Sequence, residues 1–344
     1  MKNVASFKHI LESSVKVTVV VHTHPDGDAL GSGRAMTDYL SLRLGKDARL
    51  IIPDSVPHTL TFLMEGFDVL DASLELEAAK ERIASSDLIL ILDLNELHRT
   101  EQLSGAIASS PATKVLIDHH LRPDTAPFRL VFSEPERSST CELLYFILKE
   151  LEGGCTASIP AGSLYALMAG MTTDTNNFAN SVIPTTLQMA SELLQAGVDR
   201  DDIIDKLYHS DTEQRLLSFA DMISNHLVIL PSGVSYMIMT EEMQAAYGVD
   251  AGDTEGLVNM PLKVGRVRLS IFIREDAGHF RVSIRSKRGL SARDMAAEYF
   301  HGGGHELAAG GKIFWPGDIP EKSAAAAYLE EIAARFLRNE TTTE

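Results

Sequence analysis

Two imidazoles and two carboxylates crowd into seven residues, His22-Thr23-His24-Pro25-Asp26-Gly27-Asp28. His22, Asp26 and Asp28 are donors of the kind that bind divalent cations. Gathering them in one place is costly unless a cation neutralises the charge. The alternative is an Asp- and Pro-rich turn in which Asp28 caps the following helix. Three further segments favour the metal reading. Asp93 ends the run Leu88-Ile89-Leu90-Ile91-Leu92, Asp118-His119-His120 ends Lys114-Val115-Leu116-Ile117, and Asp174 follows Met171-Thr172-Thr173. Acid or imidazole delivered from four such places is the pattern of a metal site. Imidazole and carboxylate without thiolate suit Mn2+ or a similar divalent ion rather than a closed zinc site.

A second constellation lies near the carboxyl end. Gly302-Gly303-Gly304-His305 lets the backbone approach a ligand and aim N–H groups at an anion, and Arg285 can offer a guanidinium fork to a phosphate. The competing reading is a helix C-cap and turn. The glycine spacing fits neither a dinucleotide fingerprint nor a P-loop.

The elements that must position these groups follow from hydrophobic period. Residues 15–21, 48–52, 88–92, 114–117 and 128–132 read as strands, and 30–44 and 74–84 as helices. Alternating strand and helix implies a mostly parallel sheet with helices on both faces. Ligands of such sheets gather beyond the carboxyl ends of the strands. From residue 138 the pattern turns helical, with Ser139 as N-cap and Glu142 closing a capping box, then helices over 161–172, 185–196 and 201–226. Strands over 234–240, 266–274 and 280–285 and a helix over 292–300 imply a second, smaller α/β domain. The expected division is a catalytic domain over 1–185, a helical connector over 186–226 and a substrate-binding domain over 227–344.

At 344 residues, 44% hydrophobic and 23% charged, the chain is of the globular class. No apolar run reaches a membrane span, and the N-terminal residues lack an apolar signal core, so a cytoplasmic protein is expected. Net charge is −17, which excludes broad, salt-driven binding of long duplex nucleic acid but not of a small anionic substrate. Cys141 and Cys155 match no zinc or disulfide framework.

His22-x-x-x-Asp26-x-Asp28, Asp93, Asp118-His119-His120 and Asp174, in this order, resemble the four motifs of the DHH phosphoesterase superfamily. Arg281-Val282-Ser283-Ile284-Arg285-Ser286 with Gly302-Gly303-Gly304-His305 resembles its DHHA1 domain. The combination is similar to the short two-domain members, the NrnA-like oligoribonuclease/pAp-phosphatase and cyclic-dinucleotide phosphodiesterase group.

The resemblance implies a site of two divalent cations, Mn2+ foremost, with Mg2+ or Co2+ as substitutes. His22 and Asp26 would bind one ion, Asp28, His119 and Asp174 the other, and Asp93 would bridge them. His120 would contact the scissile phosphate, making His120 and Asp93 the catalytic pair. Arg285, Ser286, Gly302, Gly303, Gly304 and His305 would hold the far end of the substrate.

The implied function is hydrolysis of short oligonucleotides and of 3′-phosphoadenosine 5′-phosphate by attack of metal-bound hydroxide. The same site would serve a cyclic-dinucleotide phosphodiesterase or an exopolyphosphatase. A non-catalytic nucleotide-binding protein is disfavoured, because every expected ligand is present. The partner is thus a small nucleotide or a short oligonucleotide, not a membrane, with a homodimer left open. Two positions depart from the family pattern: His301 stands where the first of four glycines is usual, and His24 where arginine is frequent.

Overall fold

Leu88–Leu92 is buried along its whole length, as a central strand covered on both faces must be. The computed structural model describes residues 3–249, 252–304 and 306–340. They divide into two units, Met1–Ser210 and Asp211–Glu344.

The first unit runs α1 (Val4–Ser13), β1 (Lys16–Val20), α2 (Gly27–Asp38), β2 (Asp47–Ile52), β3 (Val69–Asp71), α3 (Leu76–Ala84), β4 (Leu88–Leu92), α4 (Ser104–Ser109), β5 (Thr113–Asp118), β6 (Leu130–Ser133), α5 (Thr140–Leu151), α6 (Ala161–Asp174), α7 (Pro184–Gln195) and α8 (Arg200–Tyr208). Its six strands are all parallel, in the order β3-β2-β1-β4-β5-β6. The order changes direction between β1 and β4, which opens a crevice at their carboxyl ends.

Alternation along the strands feeds two cores. Val17, Val19, Leu88, Leu90 and Leu92 pack with α1, α2, α5 and α6, while Val20, Ile89 and Ile91 pack with α3 and α4. Helices therefore cover both faces, as the sequence pattern implies. Close approach of α2 to α6 depends on small residues. A Cβ on Gly170 would lie 2.4 Å from the Cys141 sulfur and 2.8 Å from the Gly27 carbonyl oxygen.

Two local differences have physical reasons. The helix expected from residue 30 begins at Gly27, because Asp26 and not Asp28 is its cap: the Asp26 carboxylate accepts from the N–H groups of Asp28 (3.1 Å) and Ala29 (3.0 Å). It then passes into a π-helical turn over Tyr39–Arg43. At α5, Ser139 caps Glu142 N as expected, but the Glu142 carboxylate closes on Ser138 N (3.1 Å) and Oγ (2.6 Å) instead of on Ser139.

The second unit runs α9 (Glu213–Asn225), β7 (Val228–Ile229), β8 (Val234–Met239), α10 (Glu241–Tyr247), β9 (Leu269–Asp276), β10 (His279–Ser286), α11 (Ala292–Tyr299), β11 (Gly303–Gly304), β12 (Ala308–Phe314) and α12 (Ala325–Glu340). Its sheet order is β11-β12-β10-β9-β8-β7, antiparallel except for β8 with β9. One face packs on α11 and α12, and β8 and β9 pack on the other face with α9 and α10. The segment 186–226, expected as a connector, is shared: α7 and α8 belong to the first unit and α9 to the second. Among the described residues no helix is long and apolar enough to cross a membrane.

Candidate metal centre

The crevice between β1 and β4 collects the motif residues of the first unit. His22 emerges just after β1 and is buried. Its Nδ1 donates to the Thr23 carbonyl (2.7 Å), which leaves Nε2 facing Asp26 (3.8 Å) and Asp93 (3.5 Å). Asp93 leaves β4 in a left-handed conformation (φ 61°), its N–H held by the Ile117 carbonyl at 3.1 Å. Such backbone is strained for a non-glycine residue and recurs at functional sites. Thr140 Oγ1 donates to Asp93 Oδ1 at 2.9 Å.

His119 follows β5. Its Nδ1 donates to the Arg137 carbonyl (3.2 Å), and Nε2 faces Asp174 (3.5 Å), Asp93 (3.8 Å) and Asp28 (3.9 Å). Asp28, in the first turn of α2, is buried, and its carboxylate accepts from the N–H groups of Thr140 (2.6 Å) and Cys141 (2.8 Å) at the start of α5. The positive end of a helix thereby steadies that carboxylate.

Ligand atoms of His22, Asp26 and Asp93 lie within 4.8 Å of one another, as do those of Asp28, His119 and Asp174, and those of Asp93, His119 and His120. The chain thus brings all six expected ligands into adjoining groups with Asp93 between them. The donor chemistry fits divalent cations. Both imidazoles present Nε2 with Nδ1 tied to a carbonyl, the arrangement that orients a metal-binding histidine.

The electrostatics agree. Burial pushes the Asp28 and Asp174 carboxyls well above their ordinary value, and neighbouring carboxylates add to the rise. Burial opposes protonation of His22 and His119, but Asp93 with Asp26, and Asp28 with Asp93, outweigh it and raise both. Asp93 is driven down despite burial, because it faces His22, His120 and His119. A cation among these carboxylates offsets both the burial and the repulsion that hold Asp28 and Asp174 up.

His120 stands at the rim of this centre. Asp118 Oδ1 accepts from its Nδ1 at 2.7 Å, and Arg99 Nη1 donates to its Nε2 at 3.2 Å. Asp118, Arg99 and Thr140 escape the sequence reading as site residues. Asp118 is inside the recognised motif and carried a signal. Arg99 and Thr140 carried none, since their roles depend on which segments pack together. His24, also left-handed (φ 51°), is exposed, and its N–H donates to Asp54 at 2.8 Å.

In the second unit the expected substrate-binding residues separate. Arg285 and Ser286 are neighbours on β10, so they point to opposite faces. Ser286 is buried and donates its hydroxyl to the Leu290 carbonyl at 2.7 Å. Arg285 Nη1 donates to the Ile284 carbonyl at 3.0 Å.

The glycines serve backbone packing first. Gly302 N–H donates to the Ala296 carbonyl at the end of α11 (3.1 Å), and a Cβ there would lie 1.9 Å from the Gly310 carbonyl oxygen. Gly303 and Gly304 pair with Gly310 and Ala309 as an edge strand. The Gly302 N–H is thus engaged within the fold, while Gly303 and Gly304 are exposed on the edge strand. His301 takes the left-handed position after α11 (φ 48°), where glycine is favoured. His305 lies outside the described residues.

Residues 16–171 match the family model described as DHH family, N-terminal domain, and residues 234–332 match the DHHA1 domain. The chain is 25% identical over 302 residues to the bifunctional oligoribonuclease and PAP phosphatase NrnA of Bacillus subtilis, which covers 86% of this chain and 90% of that protein. It is 27% identical over 303 residues to the NrnA of Thermus thermophilus, covering 86% and 84%. The solved structure of an exopolyphosphatase-related protein from Bacteroides fragilis shares the fold with a TM-score of 0.91 at 32% identity, covering 98% of this chain and 97% of that one.

Proposed function

The chain belongs to the DHH family of phosphoesterases, and from that premise we propose that it hydrolyses short oligonucleotides and 3′-phosphoadenosine 5′-phosphate at a pair of manganese ions. Phosphoester hydrolysis by a metal-dependent enzyme is the family's common ground. The finer reading is supported above all by one observation: two ligand groups, His22 with Asp26 and Asp28 with His119 and Asp174, stand on either side of Asp93. The names of the Bacillus and Thermus relatives support the substrate class.

When bound, a pair of divalent cations lowers the pKa of a water and neutralises charge developing on phosphoryl oxygens. The protein's own groups do the rest. His22 and Asp26 would hold one cation and Asp28, His119 and Asp174 the other, with Asp93 available to both. His120, fixed by Asp118, meets the scissile phosphate, and the Arg99 guanidinium beside it adds positive charge for the phosphoryl oxygens. Arg285 captures a substrate phosphate in the second unit.

The test is a panel of pApA, longer oligoribonucleotides, pAp, cyclic di-AMP and polyphosphate, each with Mn2+. Release of nucleoside monophosphate from the oligonucleotides, or of phosphate from pAp, is expected. The name of the Bacteroides relative favours a second reading, polyphosphate hydrolysis, and phosphate release from polyphosphate alone would establish it over the first.

A further inference from the structure

Both imidazoles of the metal centre lean on a backbone carbonyl, and in each case a carboxylate holds the same peptide unit from its other side. His22 Nδ1 donates to the Thr23 carbonyl (2.7 Å). The N–H of that peptide, which belongs to His24, donates to Asp54 Oδ2 at 2.8 Å. His119 Nδ1 donates to the Arg137 carbonyl (3.2 Å). The N–H of that peptide, which belongs to Ser138, donates to Glu142 Oε2 at 3.1 Å. Both peptides are trans, so C=O and N–H point in opposite directions across one plane. Carboxylate, peptide and imidazole thus form a line that ends at the Nε2 facing the other ligands.

The two lines start from different parts of the fold. Asp54 follows β2, which pairs with β1, and Glu142 lies in the first turn of α5. Neither carboxylate belongs to the ligand groups. Asp54 also accepts from Thr23 Oγ1, and its Oδ2 stands 3.5 Å from His24 Nδ1. These contacts hold His24 in its left-handed conformation (φ 51°), which a non-glycine residue adopts only at a cost. On the other side of Thr23, its own N–H donates to the Arg99 carbonyl at 2.8 Å. Residues 21–26 form neither helix nor strand, so these contacts, with Asp26 capping α2, set the distance from His22 to Asp26.

We propose that Asp54 and Glu142 are positioning residues, each acting on one histidine ligand through a single peptide unit. A carboxylate on the N–H side polarises the peptide and strengthens its carbonyl as an acceptor. The stronger Nδ1–H bond fixes the ring and makes Nε2 a better donor to a divalent cation. The line from Asp54 serves the cation of His22 and Asp26. The line from Glu142 serves the cation of Asp28, His119 and Asp174. The inference rests on the two-cation reading of this centre.

Asp54 gives the cleaner test, because its side chain is 33% exposed and the donors it leaves can turn to water, whereas Glu142 is fully buried. Mn2+ is titrated calorimetrically into the metal-free full chain as wild type, Asp54→Ala and Asp54→Asn. Each Asp54 variant is also made in His22→Ala and His119→Ala backgrounds, and thermal melting of the metal-free chains checks the fold. Asp54→Ala weakens one of the two ions by about 10–100-fold and leaves the other unchanged. Asp54→Asn keeps an acceptor oxygen without the charge and falls between, and it carries the same comparison should Asp54→Ala not fold. The loss persists in His119→Ala, where the His22 ring remains, and vanishes in His22→Ala, where the ring that the line serves is gone. Unchanged affinity in both Asp54 variants, or an equal loss in the two histidine backgrounds, overturns the assignment and makes Asp54 a general brace of the loop. A wild-type chain that binds no Mn2+ would overturn the two-cation reading itself, and the two lines with it.

Discussion

Glu142 is a fully buried carboxylate on which the metal centre's supports converge. It accepts from Ser138 N (3.1 Å), Ser138 Oγ (2.6 Å), Thr186 Oγ1 (2.8 Å), Thr185 Oγ1 (2.5 Å) and Arg137 Nη1 (3.0 Å). It thereby ties α7 to the segment whose Arg137 carbonyl orients His119 and whose Thr140 and Cys141 N–H groups hold Asp28. In Glu142→Ala, Ser138 and Thr186 stay buried without their acceptor, while Arg137 and Thr185 can turn to water. Breaking a buried ionic network in this way costs about 3–5 kcal/mol. For a unit of this size each kcal/mol shifts Tm by roughly 2–4 °C, so Tm falls by roughly 6–20 °C. Glu142→Gln falls by less, since shape is kept but an amide N–H meets donors.

The same change has a pH signature. Burial pushes the Glu142 carboxyl up, but its hydroxyl, backbone and guanidinium donors outweigh this and hold it below its ordinary value of 4.5. A depressed carboxyl contributes stability that is full above the unfolded value and is lost as pH falls through the folded value. The Tm gap between wild type and Glu142→Gln should therefore be full at neutral pH and shrink below about pH 4.5. Differential scanning calorimetry across pH 3–8 (roughly the range of use), with metal content measured alongside, is the assay. A gap under about 2 °C at neutral pH, or one that stays constant on acidification, would refute the reasoning.

Three further outcomes are expected. Gly170→Ala drives a methyl group into the Cys141 sulfur and the Gly27 carbonyl, so it should destabilise the first unit by about 1–3 kcal/mol and reduce metal content, read by thermal melts and metal analysis. Arg285→Ala should lower kcat/KM on pApA by about ten- to a hundredfold, the worth of a charged hydrogen bond, while leaving a generic ester such as bis-p-nitrophenyl phosphate nearly unaffected; an equal loss on both would make Arg285 structural. Cys155 is exposed and belongs to none of the ligand groups of the metal centre, and Cys141 is buried with its thiol pushed up by burial and by Asp28, so Cys141 supplies no thiolate at neutral pH. The double variant Cys141→Ser, Cys155→Ser should keep activity within about tenfold.

The strand ends were legible because chemistry and hydrophobic period coincide there. The valine run before His22 and the run before Asp93 are each buried strands that stop where a ligand-type residue begins. The strand order that makes β1 and β4 neighbours is not legible locally, although the crevice depends on it. Asp26 and Asp28 are alike in sequence. Only tertiary packing makes one the cap of α2 and buries the other against α5. Ser286 is the reverse case: the two-residue period of a strand already sets it opposite Arg285, and the motif resemblance concealed that parity. The pairing of the glycines after α11 with β12, whose backbone comes close to Gly302 and Gly304, had no signal in the sequence.

The central claim is a pair of cations sharing Asp93, and one experiment reaches it directly. Wild type and Asp93→Ala are stripped of metal, reloaded with Mn2+, and measured for ions bound per chain, for electronic coupling between the ions by paramagnetic resonance, and for release of AMP from pApA. The account predicts two coupled ions and turnover in the wild type, with fewer ions, no coupling and no turnover in the variant. Near-normal turnover by Asp93→Ala with two ions still bound, or full wild-type turnover in excess chelator, would contradict it.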